Sequence, residues 1–452
     1  MNILSLLQCI HPTISKTSVR QLSRIIFAMV AMTGRITMLG ISRWAGKGGS
    51  YRTVQRFFYQ QIPWMLVFWM FFQKHLYQPG DIYIMAGDES VITKSGKLTF
   101  GLDRFFSGTL GIPVKSIAVF VLSLINIRER RSYPTMVRQI VRSEAEKEAA
   151  KARTKKHKAK KSKPMPSKGK PGRPKGSKNR DKTQIELTPE LSRLQEMLQK
   201  QLSVIEGIIS VVYLALDGHF GNNSALQVVL QCGLHLISKL RYDAALYFPY
   251  DGPYNGKGPR RKYGARVDFR NIPERYLTET SVEGNIETNI YQAQLLHKRF
   301  AQPLNVVIIT RHHLKSGKFA NVNLFSSDLN LSYDNLIDYY SLRFQIEFNF
   351  RDAKQHWGLE DFMNIKEIPV TNALNLPLFM VNVSQVLLRS FRQDIPEASI
   401  LDLKAYFRAS KYFQEIIKML PEKPEPILFE QVFGNIASLG SIRNVKVRVL
   451  PP

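Results

Sequence analysis

Cysteine is nearly absent from this chain. Cys9 and Cys232 are the only two in 452 residues, which excludes a disulfide framework and a cysteine-based zinc site and fits a reducing, intracellular setting. Acidic side chains are scarce relative to basic ones, 36 against 64, leaving a formal net charge of +28. That excess points to a polyanionic partner, with nucleic acid ahead of an acidic membrane surface. Long apolar runs are missing too. The stretches Trp64–Phe72 and Ile117–Ile127 fall short of the ~20 residues that cross a bilayer, so no membrane span is expected. The opening MNILSLLQCIHP has neither a basic leader nor a small-residue cleavage site and does not read as a secretory signal.

What is present is a hydrophobic content of 44% spread over a chain too long for one small core, which suggests two or three domains. Residues 1–78 read as helical, with Ser18–Ala31 and Tyr51–Tyr59 the clearer pieces. Around the glycine-rich turn Gly46–Gly49 two apolar-periodic segments fit either a helix-turn-helix, offering Arg52 and Arg56 to DNA, or an ordinary helical hairpin. From Asp81 the period shortens to that of strands: DIYIMAG (81–87), KLTFGL (97–102) and the near-continuous run KSIAVFVLSLINI (115–127). A basic low-complexity stretch at about 146–186 interrupts them and cannot bury enough apolar surface to fold. Inside it, Arg173 between Gly172 and Pro174 fits an extended minor-groove contact of the AT-hook kind, or a solvated linker that meets phosphates without sequence preference. A helix near Leu191–Ile205 and the strand IISVVYLALDG (208–218) follow. Residues 243–332 alternate short strands with turns, an expected all-β insertion whose segment Arg260, Arg261, Lys262 is strongly basic. A long helix starts near Tyr333, and 373–452 read as helical.

That long helix carries Tyr340, Arg343, Glu347 and Lys354, reading Y-x2-R-x3-E-x6-K. At about 100° per residue the offsets of 3, 7 and 14 fall at roughly 300°, 340° and 320° from Tyr340, a single polar stripe. A carboxylate between two cations and a phenol suits phosphate chemistry, since the acid can hold a divalent metal while Arg and Lys neutralise phosphate oxygens. A solvated face with i,i+4 pairing of Arg343 and Glu347 fits the same spacing. A lone Glu cannot hold two metals, and two further acids stand at the ends of apolar runs: Asp88 after DIYIMAG and Asp217 after VVYLAL. Lys94 and Lys97 follow Asp88 closely enough to meet a scissile backbone or to decorate an exposed hairpin. Arg351, one turn beyond Glu347, is a further candidate DNA contact.

With MAGDESVITKSGK, LALDGHFGN and the Y-R-E-K helix on the page, residues 50–370 resemble the DDE transposases of bacterial insertion sequences that carry the Y-R-E-K signature, the insertion-sequence-four-like superfamily. The resemblance implies an α/β fold: an RNase H-like catalytic core at 79–242 and 333–372, interrupted by the β insertion, with a helical N-terminal DNA-binding domain and a helical C-terminal region. It implies Asp88, Asp217 and Glu347 as ligands of two Mg²⁺ ions, for which Mn²⁺ can substitute, with Tyr340, Arg343 and Lys354 on the phosphates of the cut end. Its partners would be double-stranded DNA, as terminal inverted repeats and target, and a second copy of the chain on paired ends. Its setting would be the bacterial cytoplasm and nucleoid. Some relatives flip a base onto a tryptophan of the insertion. Here Trp44, Trp64, Trp69 and Trp357 all lie outside 243–332, leaving Tyr254, Tyr263, Phe269 or His312 as stacking faces. A DNA-binding chain that no longer cuts and a nuclease that cuts without joining are the rival classes.

Overall fold

Tyr83, Ile84, Val91 and Ile92, aromatic and β-branched, suit YIMAGDESVIT to a strand, β1 (Tyr83–Thr93), which lies inside a twelve-stranded sheet in the computed structural model of the chain. The structure describes residues 2–148 except 109, residue 152, residues 181–421 except 255 and 257, and residues 425–442 except 440. Arg173 and most of the basic stretch lie outside the described residues.

After β1 come β2 (Asp103–Ser107), β3 (Ile112–Asn126), β4 (Arg131–Ile140), β5 (Val211–Ala215) and β6 (His235–Leu240). β1 runs antiparallel to β3 along its whole length, from Tyr83 opposite Asn126 to Thr93 opposite Ser116. On its other edge β1 is parallel to β5, and β5 is parallel to β6. β4 and β2 pair with the far edge of β3, giving the order β4-β3-β1-β5-β6. The sheet continues through β12 (Phe319–Ser326), β11 (Leu304–His313) and β10 (Ile286–His297), with β9 (Leu277–Glu283), β7 (Leu246–Pro249) and β8 (Tyr263–Arg266) beyond. Among its described residues the stretch 243–332 thus forms strands and one 3-10 turn, joined to the rest where Asn323–Ser326 pair with Ile237–Leu240.

Two local expectations fail for identifiable reasons. KLTFGL is not a strand: Gly101 takes a φ of +70° and Leu102 N–H donates to Thr99 O, closing a turn, and the strand forms six residues later as β2. DIYIMAG does not stop at Gly87, because β3 offers backbone partners as far as Ser116 and carries β1 on to Thr93.

Helices α1 (Ile3–Leu6), α2 (Lys16–Ala31), α3 (Met38–Trp44), α4 (Tyr51–Phe58) and α5 (Trp64–His75) precede the sheet. Ser15, Thr37 and Ser50 cap three of them by accepting from the third residue on. α6 (Pro189–Ile205), capped by Thr188 with Pro189 in its first turn, and α7 (Asn223–Gln231) flank β5 in sequence. The chain closes with α8 (Tyr333–Leu342), α9 (Gln345–His356), α10 (Glu367–Asp394), α11 (Ile400–Met419) and α12 (Pro426–Ser438).

The N- and C-terminal helices share one core. Trp64 donates to Asn372 at 2.7 Å, Asn372 donates to Phe58 O and Gln60 O, and the half-buried Lys404 of α11 donates to Met29 O and His356 O. On the opposite face of the sheet a smaller cluster forms: Ile84, Ala86, Ala215 and Ile237 from the strands meet Leu336, Tyr339 and Leu342 of α8. α8 therefore lies over the point where β1 and β5 are paired, which aims the residues that follow it. Among the described residues no helix is long and apolar enough to cross a membrane.

Candidate active site

The parallel ladder between β1 and β5 ends at the pair Ala86–Ala215. Asp88 and Asp217 each stand two residues beyond that pair, so the period of two puts both carboxylates on the face that Ala86 and Ala215 present to α8. Asp88 was expected just after its strand; it lies within β1 instead, where the strand has parted from β5 while still paired to β3. Asp217 follows β5 and caps the 3-10 turn Gly218–Phe220, accepting from His219 N–H at 3.2 Å. Its own carbonyl accepts from Ser238 Oγ at 2.7 Å.

Glu347 lies in the first turn of α9. The single helix expected from Tyr333 onward is two helices. Between α8 and α9 the chain tightens into i→i+3 bonds, from Phe344 N–H to Ser341 O, Ile346 N–H to Arg343 O and Glu347 N–H to Phe344 O, each at 3.1 Å. The turn there is about 120° per residue rather than about 100°, so the stripe arithmetic does not carry across the join. The join brings Arg343 down onto Asp88, Nη1 to Oδ2 at 2.9 Å, with the side chains 14% and 17% exposed. Burial pushes the Asp88 carboxyl up to about 6; Arg343 opposes the shift, and the negative charges of Glu347 and Asp217 add to it. Tyr340, whose hydroxyl burial also pushes up, feels Arg343, Asp217 and Asp88.

These side chains open on a cleft of about 840 Å³ lined by Asp88, Asp217, Glu347, Arg351 and Lys354, with Phe105, Phe106 and His219 on its other wall. Lys354 Nζ is held by Val91 O at 3.0 Å and pairs with Glu360 at 3.3 Å. Arg351 bonds Asp352 and covers the Phe348 ring. Lys94 is engaged elsewhere: its ammonium donates to Glu360 O and Phe362 O and sits 3.4 Å above the Phe362 ring, with burial bringing its pKa down to about 8. Lys97 is exposed in the loop before β2. Arg52 and Arg56 are exposed on α4; Arg260, Arg261 and Lys262 are exposed before β8, the two arginines lying over the rings of Tyr254 and Tyr250.

Glu89, beside Asp88, and His219, beside Asp217, stand out in the sequence as possible site residues, but their grouping with Glu190 and Arg142 on the far side of β1 does not. Glu89 points away from Asp88, as neighbours on a strand must, toward Arg142 and toward Glu190 of α6. His219 Nε2 bonds Glu190 at 3.0 Å, which holds that carboxyl below its usual range. The helix near Leu191–Ile205 is legible in the sequence; the meeting of its first turn with Glu89 is not.

A cluster of mutually repelling carboxylates with one acid raised to about 6 calls for a cation, and hard oxygen donors suit Mg²⁺. As placed, no three His, Cys, Asp or Glu side chains among the described residues come close enough to share one ion. The Arg343 guanidinium supplies the positive charge beside Asp88.

Two acids at equal steps past the last pair of adjacent parallel strands, with a third acid lining the same cleft from the first turn of α9, are accompanied by a match of residues 5–302 to the family model of the DDE superfamily endonucleases. The chain belongs to that superfamily. The matched part of this DDE endonuclease contains Asp88 and Asp217, and Glu347 lies beyond it. Family membership brings DNA as substrate and transposase-like cleavage, with divalent metal, generally Mg²⁺, in use among members. No curated protein matches the chain.

Proposed function

We propose that the chain is a DNA transposase that binds the terminal inverted repeats of its element, cleaves DNA at the element ends and joins the 3′ ends to target DNA. The observation that carries this reading is the convergence of Asp88 and Asp217, two steps past Ala86–Ala215, on one cleft with Glu347 in the first turn of α9. The strand order β4-β3-β1-β5-β6, with β1-β5-β6 parallel and β3 and β4 antiparallel, supports an RNase H-like core.

In this reading Asp88, Asp217 and Glu347 would hold two Mg²⁺ ions, or Mn²⁺. When bound, such ions activate an attacking oxygen and stabilise the leaving oxygen in an in-line displacement at phosphorus. The rest falls to the protein. Arg343 leaves Asp88 for a phosphate of the cut end, Tyr340 donates its hydroxyl to the same group, and Lys354 neutralises a neighbouring phosphate. The exposed Arg52 and Arg56 on α4, and Arg260, Arg261 and Lys262 near β8, hold the flanking duplex, and Arg351, Lys97 and Arg173 add charge along it. Lys94 acts through position, fixing the loop after α9 beneath the clamp. Two ends cut together call for two copies of the chain.

The test is cleavage by Asp88→Asn, Asp217→Asn and Glu347→Gln on duplex DNA that the protein selects from a random pool. Each should lose Mg²⁺-dependent cleavage and keep DNA binding; full cleavage by any one removes that residue from the site. A pre-cleaved end presented with target DNA separates joining from simple hydrolysis.

A further inference from the structure

We infer that Asp361, in the loop after α9, is a positioning residue that fixes the distance along DNA between the segment held by α3 and α4 and the bond that is cut. The inference rests on the reading that α3 and α4 hold duplex DNA while Asp88, Asp217 and Glu347 cut it. α9 stops at His356, and the loop that follows touches both the helix pair and the cleft. Toward the helix pair, the Asp361 carboxylate accepts from the backbone N–H of Ile36 at 2.8 Å and pairs with Arg35 at 3.4 Å. Ile36 is buried and stands directly before Thr37, whose side chain caps α3. Gly358 permits the close approach: its φ is +73°, and a Cβ there would lie 2.5 Å from the Ile36 Cβ.

Toward the cleft, the preceding residue, Glu360, pairs with Lys354 of α9 at 3.3 Å, and Lys354 Nζ donates to Val91 O of β1. Lys94, just past the end of β1, donates to Glu360 O and Phe362 O, and Phe100 N–H donates to Ile365 O at 3.0 Å. The loop is therefore fastened to β1, which carries Asp88, and to α9, which carries Glu347. The Asp361 carboxylate ties that same loop to the chain that starts α3. The preceding helix is anchored separately: Lys404 and Arg408 of α11 donate to Met29 O and Ala31 O at the end of α2. Those bonds fix α2 and leave the direction of α3 to the connector 32–37, which Asp361 grips at Ile36. A carboxylate held at once by a backbone N–H and a guanidinium makes charge-assisted bonds that set geometry as well as energy. With α3 and α4 at one angle to the carboxylates, Arg52 and Arg56 present a single phosphodiester for cutting; with the angle loose, they present several.

The test maps cut positions on the duplex that the wild-type chain selects. In Asp361→Ala, duplex affinity and KM should stay near wild type, and product should appear at the phosphodiesters on either side of the wild-type bond. The kcat at that bond should fall about tenfold, since a misplacement of ~1 Å costs up to ~100-fold. A merely structural role for Asp361 would lower the melting temperature and the yield of active protein without spreading the cut. A second measurement needs no variant at residue 361 to fold. The segment held by α3 and α4 is the one whose protection Arg52→Ala loses, and one base pair is inserted between it and the cut. The wild-type chain should keep its distance from that segment, so that the cut moves by one nucleotide in the sequence. A single wild-type cut by folded Asp361→Ala, or an inserted duplex cut at its original bond at the wild-type rate, overturns the inference. If Arg52→Ala and Arg56→Ala together leave affinity unchanged, or the wild-type chain cuts no duplex, it is the reading of α3 and α4 or of the cleft that has failed.

Discussion

Replacing Arg343 by Gln should make the DNA-free protein bind divalent metal more tightly while making it a poorer nuclease. Arg343 and Asp88 form an ion pair at 2.9 Å, with the side chains 14% and 17% exposed. At an effective dielectric of ~20, unit charges ~4 Å apart attract by ~4 kcal/mol. Desolvation of both groups cancels much of this, leaving about 1–2 kcal/mol that an arriving metal must displace. Removing the guanidinium should therefore tighten Mn²⁺ or Ca²⁺ binding about tenfold, since 1.4 kcal/mol is a factor of ten. A proton competes for the same oxygens, and the Asp88 carboxyl, already raised to about 6 with Arg343 beside it, moves higher once that opposing charge is lost, so the comparison belongs at pH 8. Titration calorimetry of the protein without DNA measures the affinity; cleavage of the selected duplex, in which Arg343 clamps a phosphate, should fall in the same variant. Unchanged or weaker metal binding by a folded Arg343→Gln protein at pH 8 would refute the idea that Arg343 occupies the cation's place until DNA draws it away.

Burial and the neighbouring acids raise the Asp88 carboxyl to about 6, so its ionised, metal-binding form is lost as pH falls through that value. Cleavage at sub-saturating Mg²⁺, where proton and metal compete for the carboxylate, should decline about tenfold per pH unit below 6 if one proton controls it, and a profile under those conditions that stays flat to pH 5 would count against Asp88 as a ligand. Gly87→Ala would set a Cβ 2.8 Å from the Phe120 ring and 3.0 Å from Leu216. Overpacking of this kind costs about 1–3 kcal/mol, so the melting temperature should drop, and an unchanged one would mean that β1 has slack at this point.

Much of the site was legible because its residues sit where local pattern changes. Asp88 ends an apolar run, Asp217 does the same, and Glu347 lies on the helix near the chain's end. The remaining features are set by contacts that a local window does not contain. Nothing in SLRFQIE, which holds neither Gly nor Pro, announces a break between α8 and α9; it arises where α8 has already buried Leu336, Tyr339 and Leu342 on the sheet. Lys94 reads as a solvent-facing cation after an acidic residue, and only the return of residues 360–362 beneath it shows carbonyls waiting for its ammonium. The turn at Gly101 was masked by alternation in KLTFGL, a pattern that a strand and a turn flanked by apolar anchors share.

The proposed chemistry depends on strand register more than on any one carboxylate. Because side chains alternate along β1 and β5, sliding one strand by a single residue would turn its aspartate to the other face of the sheet, beside Glu89 and α6, and leave its partner alone in the cleft. Only three residue pairs join β1 to β5, too few to fix that register by themselves. The eleven pairs between β1 and β3 do fix β1, and Ile237, which pairs with Ala215 and accepts from Leu216 N–H, fixes β5 from the other side. Gly87 then allows the close approach: with no Cβ it admits Phe120 and Leu216 against the backbone between Ala86 and Asp88. The acids are thus aligned by neighbouring strands that carry none of the three carboxylates, which is why a change such as Gly87→Ala, whose new methyl would meet Phe120 of β3 and Leu216 after β5, should disturb the same cleft that Asp88→Asn disables.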